Sequence, residues 1–256
     1  MILAIDMGNT NIVIGCVDDE RIWFVERLAT DQSKLALEYA VSIKNVLAFH
    51  HIVEEDIEGI IISSVVPPLV HVIREACRKV LGMEPMIIGP GMKTGLNVIM
   101  DHPETLGSDL IVNAVAGIHE YGSPAIYIDM GTATTISVVD CEQNYIGGAI
   151  LPGLATSMNA LVSNAAQLSK VSLEAPERVI GKNTAECMKS GLVIASAAGI
   201  DGMIDRMWKE LGYETLILAT GGLASIVIPQ CRHDIIIDDG LLLKGLKILY
   251  DMNKDG

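Results

Sequence analysis

The sequence predicts an α/β fold built as two related halves. Three observations lead there. A motif near the start returns in mid-chain. Strand-like stretches alternate with stretches of helical spacing. Half of the 256 residues are hydrophobic, and that content is aliphatic: only 4% are aromatic, and 24 are Gly. Buried parallel or mixed sheets flanked by helices have this composition.

The first copy of the motif spans residues 2–18: an apolar run, Asp6, a polar turn containing Gly8, and a β-branched run. That pattern predicts a hairpin. Residues 59–66 (GIIISSVV) read as a buried strand stopped by Pro67-Pro68. Over 69–81, Val70, Ile73, Ala76, Cys77 and Val80 recur at helical spacing. A short strand is expected at 85–88. A helix is expected over 107–117, carrying Leu110, Ile111, Ala114 and Val115. Gly122-Ser123-Pro124 marks a turn, so the domains are expected at 1–120 and 121–256.

The second copy spans 125–140, with Asp129 lying 123 positions after Asp6. That separation is too long for a solenoid repeat and fits two related domains around a cleft. Gly147-Gly148 through Pro152-Gly153 breaks into a helix over 155–167. Residues 184–211 read as long helical material, broken near 199–202. A strand at 215–219 runs into Gly221-Gly222, a short strand follows at 235–237, and a helix over 241–250 closes the chain.

Composition excludes several classes. Asp and Glu outnumber Lys and Arg by 32 to 18, for a net charge of −14. Neither non-specific nucleic-acid binding nor an anionic membrane surface suits that charge. Mean hydropathy is +0.41, yet no uninterrupted apolar run reaches the ~18–20 residues of a spanning helix. The opening apolar residues lack a basic flank and meet Asp6 at once, unlike a signal peptide. Cys16, Cys77, Cys141, Cys187 and Cys231 are odd in number and never spaced C-x-x-C. They read as reduced thiols of a cytoplasmic protein.

The repeated motif carries chemistry. A Gly lets backbone amides approach phosphate oxygens, and neighbouring Thr hydroxyls add donors. Carboxylates repel phosphate, so Asp6 and Asp129 imply a cation between. Taken singly, an Asp-x-Gly can simply cap a turn. Two copies, each after an apolar strand, favour a nucleoside triphosphate. Ala219-Thr220-Gly221-Gly222 is a third glycine site where a ring or ribose can approach the backbone, or a plain tight turn.

This trio resembles the superfamily of actin, sugar kinases and heat-shock chaperone ATPases. Further residues narrow the resemblance to the type III pantothenate kinases. They are 6–11 (DMGNTN), 93–96 (KTGL), His102-Pro103, Gly107-Ser108-Asp109 with Asn113, and 129–135 (DMGTATT). Gly147-Gly148, Pro152-Gly153, 181–184 (GKNT), Gly221-Gly222, and Asp238 with Leu243 and Gly245-Leu246 complete the set in order, so the match runs from residue 2 to about 250.

The resemblance implies two duplicated actin-like (ribonuclease H-like) domains and transfer of phosphate from ATP to pantothenate, the first step of coenzyme A synthesis. It makes Asp109 the general base. It gives ATP to Asp6, Met7, Gly8, Asn9, Thr10, Asn11, Ile12, Val13 and Thr132, with Asp6 facing Mg²⁺-bound phosphate. Asp129 is implied to ligate a monovalent cation, K⁺ or NH₄⁺. Met100, Gly107, Ser108, Asp109, Leu110 and Thr184 line the pantothenate site. A homodimer is implied, with that pocket near the subunit interface. By itself, Asp109 reads as a surface or N-cap residue of the following helix.

Three positions depart from the family pattern. Leu110 stands where Arg is usual, Met100 where Tyr is usual, and 164–169 (NAAQLS) replaces Arg-x-x-x-Leu-Pro. A lost charge-assisted bond costs about 1.5–3 kcal/mol. His102 or Lys93 are candidates to compensate; taken singly, they read more readily as a turn residue before Pro103 and a solvated charge. Two other functions stay open: a nucleotide-binding regulatory paralogue without catalysis, and a kinase of the superfamily with another small alcohol as acceptor.

Overall fold

The computed structural model describes residues 1–255. β1 (Ile2–Met7) and β2 (Asn11–Val17) form the first hairpin, and β3 (Ile22–Ala29) extends it. Then come α1 (Ala36–Phe49), β4 (Gly59–Ser64), α2 (Pro67–Leu81), β5 (Met86–Ile87), β6 (Asn97–Val98) and α3 (Ser108–Tyr121). β7 (Ala125–Met130) and β8 (Ala133–Val139) form the second hairpin, extended by β9 (Asn144–Pro152). α4 (Leu154–Asn164) and α5 (Thr184–Lys189) follow, and a π-helical turn over Ser190–Ile194 leads into α6 (Ala195–Leu211). β10 (Leu216–Thr220), α7 (Ala224–Val227), β11 (Ile236–Ile237) and α8 (Leu241–Asn253) complete the order.

The duplication expected from the echo is visible in the sheets. The first has the order β3-β2-β1-β4-β5. The second contains β9-β8-β7-β10-β11 in the same sense, with β6 added beside β9. In both, the first three strands are an antiparallel meander, and the next two lie parallel to the first. Each also has a register shift near the far end of its second strand, at Cys16/Val17 and Val138/Val139.

Burial explains why the hairpin strands were legible. In the first unit, Leu3, Ile5 and Met7 face α1 and α2 through Tyr39, Ile43, Leu69 and Ile73. Ile2 and Ala4 face the other way, against Val112 and Val115 of α3 and Leu243, Leu246 and Leu249 of α8. β1 is covered on both faces, so its apolar run is nearly continuous. In the second unit, Ile126, Ile128, Ile136 and Ile217 pack on Val193, Ala197, Ile200 and Ile204. Those last four belong to Thr184–Leu211, which is long and apolar enough to cross a membrane by length and composition. Here one face of it is core.

The compact units differ from the 1–120 and 121–256 expectation. One comprises Met1–Leu96, His102–His119 and the chain from Gly240 onward; the other comprises Asn97–Asp101 and Glu120–Asp239. The passage at His119/Glu120 lies beside the expected boundary, but α8 returns to the first unit because its leucines complete that unit's core. Asn97–Asp101 goes to the second unit because β6 pairs with β9, and Asn97 Nδ2 donates to Asn144 Oδ1 at 2.7 Å.

Several local expectations also change. α4 stops at Asn164 instead of 167. The irregularity in the long helix is the π turn at Ser190–Ile194, while Gly199 and Gly202 sit in regular helix. Gly147-Gly148 lie inside β9, held by ladder pairing to Val138 and Ser137. β3 and α1 had no clear sequence signal. Val25 on β3, and Leu37, Val41 and Phe49 on α1, are exposed, which blurs both periods.

Candidate active site

In the first unit, β1 delivers Asp6 to the mouth of its hairpin. Asp6 is only 8% exposed, and Met7 and Ile12 are fully buried. Gly8 N donates to Asn11 O at 3.0 Å, closing a tight turn whose Asn9, Thr10 and Asn11 are exposed. Thr30, just past β3, straps this turn: its Oγ1 donates to Gly8 O at 2.7 Å, and its N–H to Thr10 O at 3.0 Å. The side chains of Met7 and Ile12 are therefore core, and their share in any ligand contact is backbone. Val13, half-buried, packs beside the α3–α8 core.

Asp109 belongs to the same unit, in the first turn of α3. Its Oδ1 accepts from Leu110 N at 2.9 Å. A Cβ on Gly107 would collide with that oxygen, so the carboxylate lies back over Gly107. Burial pushes its pKa above the ordinary carboxylate value, against the pull of the Leu110 and Asp109 backbone amides. Ser108 Oγ meets Ser63 Oγ at 2.9 Å, accepts from Ser64 N at 3.2 Å and donates to Ser64 O at 3.1 Å. Ser63, Thr30 and Thr156 are the residues sequence reasoning missed. In Ser63 a signal existed, because a Ser inside GIIISS breaks an aliphatic run.

In the second unit, β7 delivers Asp129 to an equivalent turn, where Gly131 N donates to Ala133 O at 3.0 Å. Thr156 of α4 straps it as Thr30 straps the first: its Oγ1 donates to Thr132 O at 2.7 Å. Two glycines bracket the turn. A Cβ on Gly153 would lie 2.5 Å from Gly131 O and collide with Thr132 O. Gly221 has φ +98°, and a Cβ there would lie 2.7 Å from the Met130 N and O atoms. The third glycine site thus packs onto the end of β7.

The remaining expected residues are more dispersed. Met100 is half-buried just beyond β6. His102 is exposed and meets Glu104 Oε1 at 3.2 Å. The Lys93 backbone is pinned to the Asn253 side chain by two bonds, and its side chain is exposed. Thr184 starts α5 behind Asn183, whose Oδ1 accepts from Glu186 N at 2.9 Å. Asn183→Ala is expected to cost about 1 kcal/mol through the lost N-cap, read as a lower Tm in thermal denaturation.

The donor set suits hard cations. Asp6 and Asp129 offer carboxylate oxygens beside turn carbonyls and hydroxyls, as Mg²⁺ and K⁺ prefer. Among the described residues, no three His, Cys, Asp or Glu side chains converge as a metal cage. A divalent ion would then take most of its oxygens from a triphosphate and water.

The family model described as type III pantothenate kinase matches residues 2–206. A type III pantothenate kinase of Geobacillus sp. (strain WCH70) is 43% identical over 255 residues, covering 100% of this chain and 99% of that protein. Among solved structures, component A of the (R)-2-hydroxyglutaryl-CoA dehydratase of Acidaminococcus fermentans superposes with a TM-score of 0.60 at 15% identity, covering 99% of this chain and 98% of that one. A Campylobacter jejuni protein described under the Baf family of transcriptional activators gives 0.59 at 19% identity, covering both chains completely. These two likenesses concern the fold alone, which is the duplicated actin-like α/β fold. With two strapped Asp–Gly turns, a half-buried Asp109 and a close relative over its full length, this chain belongs to the type III pantothenate kinase family.

Proposed function

We infer that the protein transfers the terminal phosphoryl group of ATP to the hydroxyl of pantothenate, giving ADP and 4′-phosphopantothenate, the first step of coenzyme A synthesis. The observation that carries this reading is Asp109, a carboxylate with a pKa raised by burial in the same unit as the Asp6 turn. Phosphoryl transfer is chiefly positioning and charge neutralisation. Asp109 accepts the hydroxyl proton as the new O–P bond forms. The Gly8–Asn11 amides and hydroxyls hold phosphate oxygens, and Asp6 faces the phosphate's Mg²⁺. Thr132 contacts ATP, and Asp129 ligates a monovalent cation. Contacts to pantothenate are assigned to Gly107, Ser108 and Leu110, and by the family resemblance to Met100 and Thr184.

The reading is tested with purified protein, ATP, Mg²⁺, K⁺ and pantothenate. Phosphopantothenate is the expected product; none formed under normal ATP binding overturns the reading. Replacing K⁺ by Na⁺ in that assay checks the monovalent cation, and light scattering of the same preparation checks the homodimer. A cytoplasmic location is part of the proposal; cell fractionation checks it.

Leu110 separates the working kinase from the alternatives. It offers no donor where the family usually presents a guanidinium fork. Leu110→Arg is therefore expected to lower the KM for pantothenate by about tenfold, from one charge-assisted bond; an unchanged KM would make the departure harmless. Leu110 and Met100 favour a regulatory paralogue without catalysis, but the retained, half-buried Asp109 opposes it. A screen of small alcohols with ATP identifies any different acceptor.

A further inference from the structure

We propose that Ser63 is a positioning residue for proton transfer, fixing Asp109 through Ser108; the inference rests on the role given to Asp109 above. Ser63 is fully buried in a strand whose preceding residues, Ile60, Ile61 and Ile62, are aliphatic. A buried hydroxyl costs free energy unless it is hydrogen-bonded, and Ser63 spends its bond on Ser108.

The hydroxyl accounting closes at Ser108. One hydroxyl has one donor hydrogen and two acceptor lone pairs. Ser108 Oγ donates to Ser64 O and accepts from Ser64 N, which leaves one lone pair for the Ser63 hydroxyl. All three bonds tie the first residue of α3 to the end of β4. The next residue is Asp109, whose carboxylate lies over Gly107 and accepts from Leu110 N. Its carboxylate is thus fixed to backbone that Ser63 and Ser64 hold.

Register links the other end. Ser63 pairs with Asp6 across the parallel β1–β4 ladder. Paired positions on neighbouring strands point to one face of a sheet. The Ser63 backbone is thus laddered to the Asp6 end of β1, while its side chain bonds the first residue of the helix turn carrying Asp109. The second sheet has a hydroxyl at the matching position, where Thr220 pairs with Asp129.

The test is steady-state kinetics of full-length Ser63→Ala and Ser63→Cys proteins with ATP and pantothenate. Removing one of the three bonds loosens the helix start and lets the carboxylate drift, so kcat for Ser63→Ala is expected to fall about tenfold. The KM for ATP stays within about twofold. Ser63→Cys keeps the volume and a weak donor, so its kcat falls between the two; it decides the matter if the Ala protein does not fold. A kcat equal to wild type overturns the proposal. So does a fall matched by a rise in the KM for ATP, which would make Ser63 a mere support of the sheet beside Asp6. A wild-type protein inactive on pantothenate overturns the functional reading and this inference with it; an active one with indifferent Ser63 variants overturns this inference alone.

Discussion

Asp109→Asn is expected to lower turnover by about 10²–10⁴-fold, the usual contribution of a positioned acid or base, while ATP affinity stays near wild type. The amide keeps the size of the carboxylate but cannot accept the proton. The same substitution is expected to raise Tm. Burial penalises the charged form of Asp109 in the folded state, so its folded pKa lies above its unfolded one. Between those two values the folded state binds more protons than the unfolded state. Stability from this group is thus present at low pH, declines as pH rises through that window, and is a constant cost at neutral pH. Asn removes that cost. The acid limb of kcat/KM should likewise lie above the ordinary Asp value of about 3.9. Loss of activity with a higher Tm places Asp109 in the chemistry; retained turnover removes it.

Gly153→Ala is expected to weaken ATP binding by at least about tenfold and to destabilise the fold by about 1–3 kcal/mol. The added methyl would press on the carbonyls of Gly131 and Thr132, which are backbone and cannot swing aside. The turn must shift or α4 must retreat, and Thr156 Oγ1 of α4, which donates to Thr132 O at 2.7 Å, resists retreat. Either movement displaces Thr132 relative to Asp129. Isothermal titration with ATP and urea unfolding measure the two effects. Normal ATP affinity in a destabilised variant would restrict Gly153 to packing and take the second turn out of the nucleotide site.

The sequence by itself determined the two hairpins, the fold class and the family. Those signals are local: an apolar run, an Asp, a glycine turn and a β-branched run lie within 17 residues at residues 2–18. A strand covered on both faces writes its burial directly into consecutive residues. The α3 start with Gly107-Ser108-Asp109 was legible for the same reason, although only the family resemblance turned Asp109 from a helix cap into a base.

What tertiary structure decided are pairings between distant residues. β3 and β9 form because a hairpin edge offers them a ladder, in spite of exposed Val25 in one and Gly147-Gly148 in the other. α8 joins the first unit although the whole of the second precedes it in the chain, because Leu243, Leu246 and Leu249 have their apolar partners on β1, β4 and α3. The straps and ties around the candidate site have the same origin. Thr156 lies 24 residues from Thr132, Thr30 lies 22 from Gly8, and Ser63 lies 45 from Ser108. No periodicity in a linear chain records such bonds. They exist because folding brings together buried polar groups that each cost free energy until they meet.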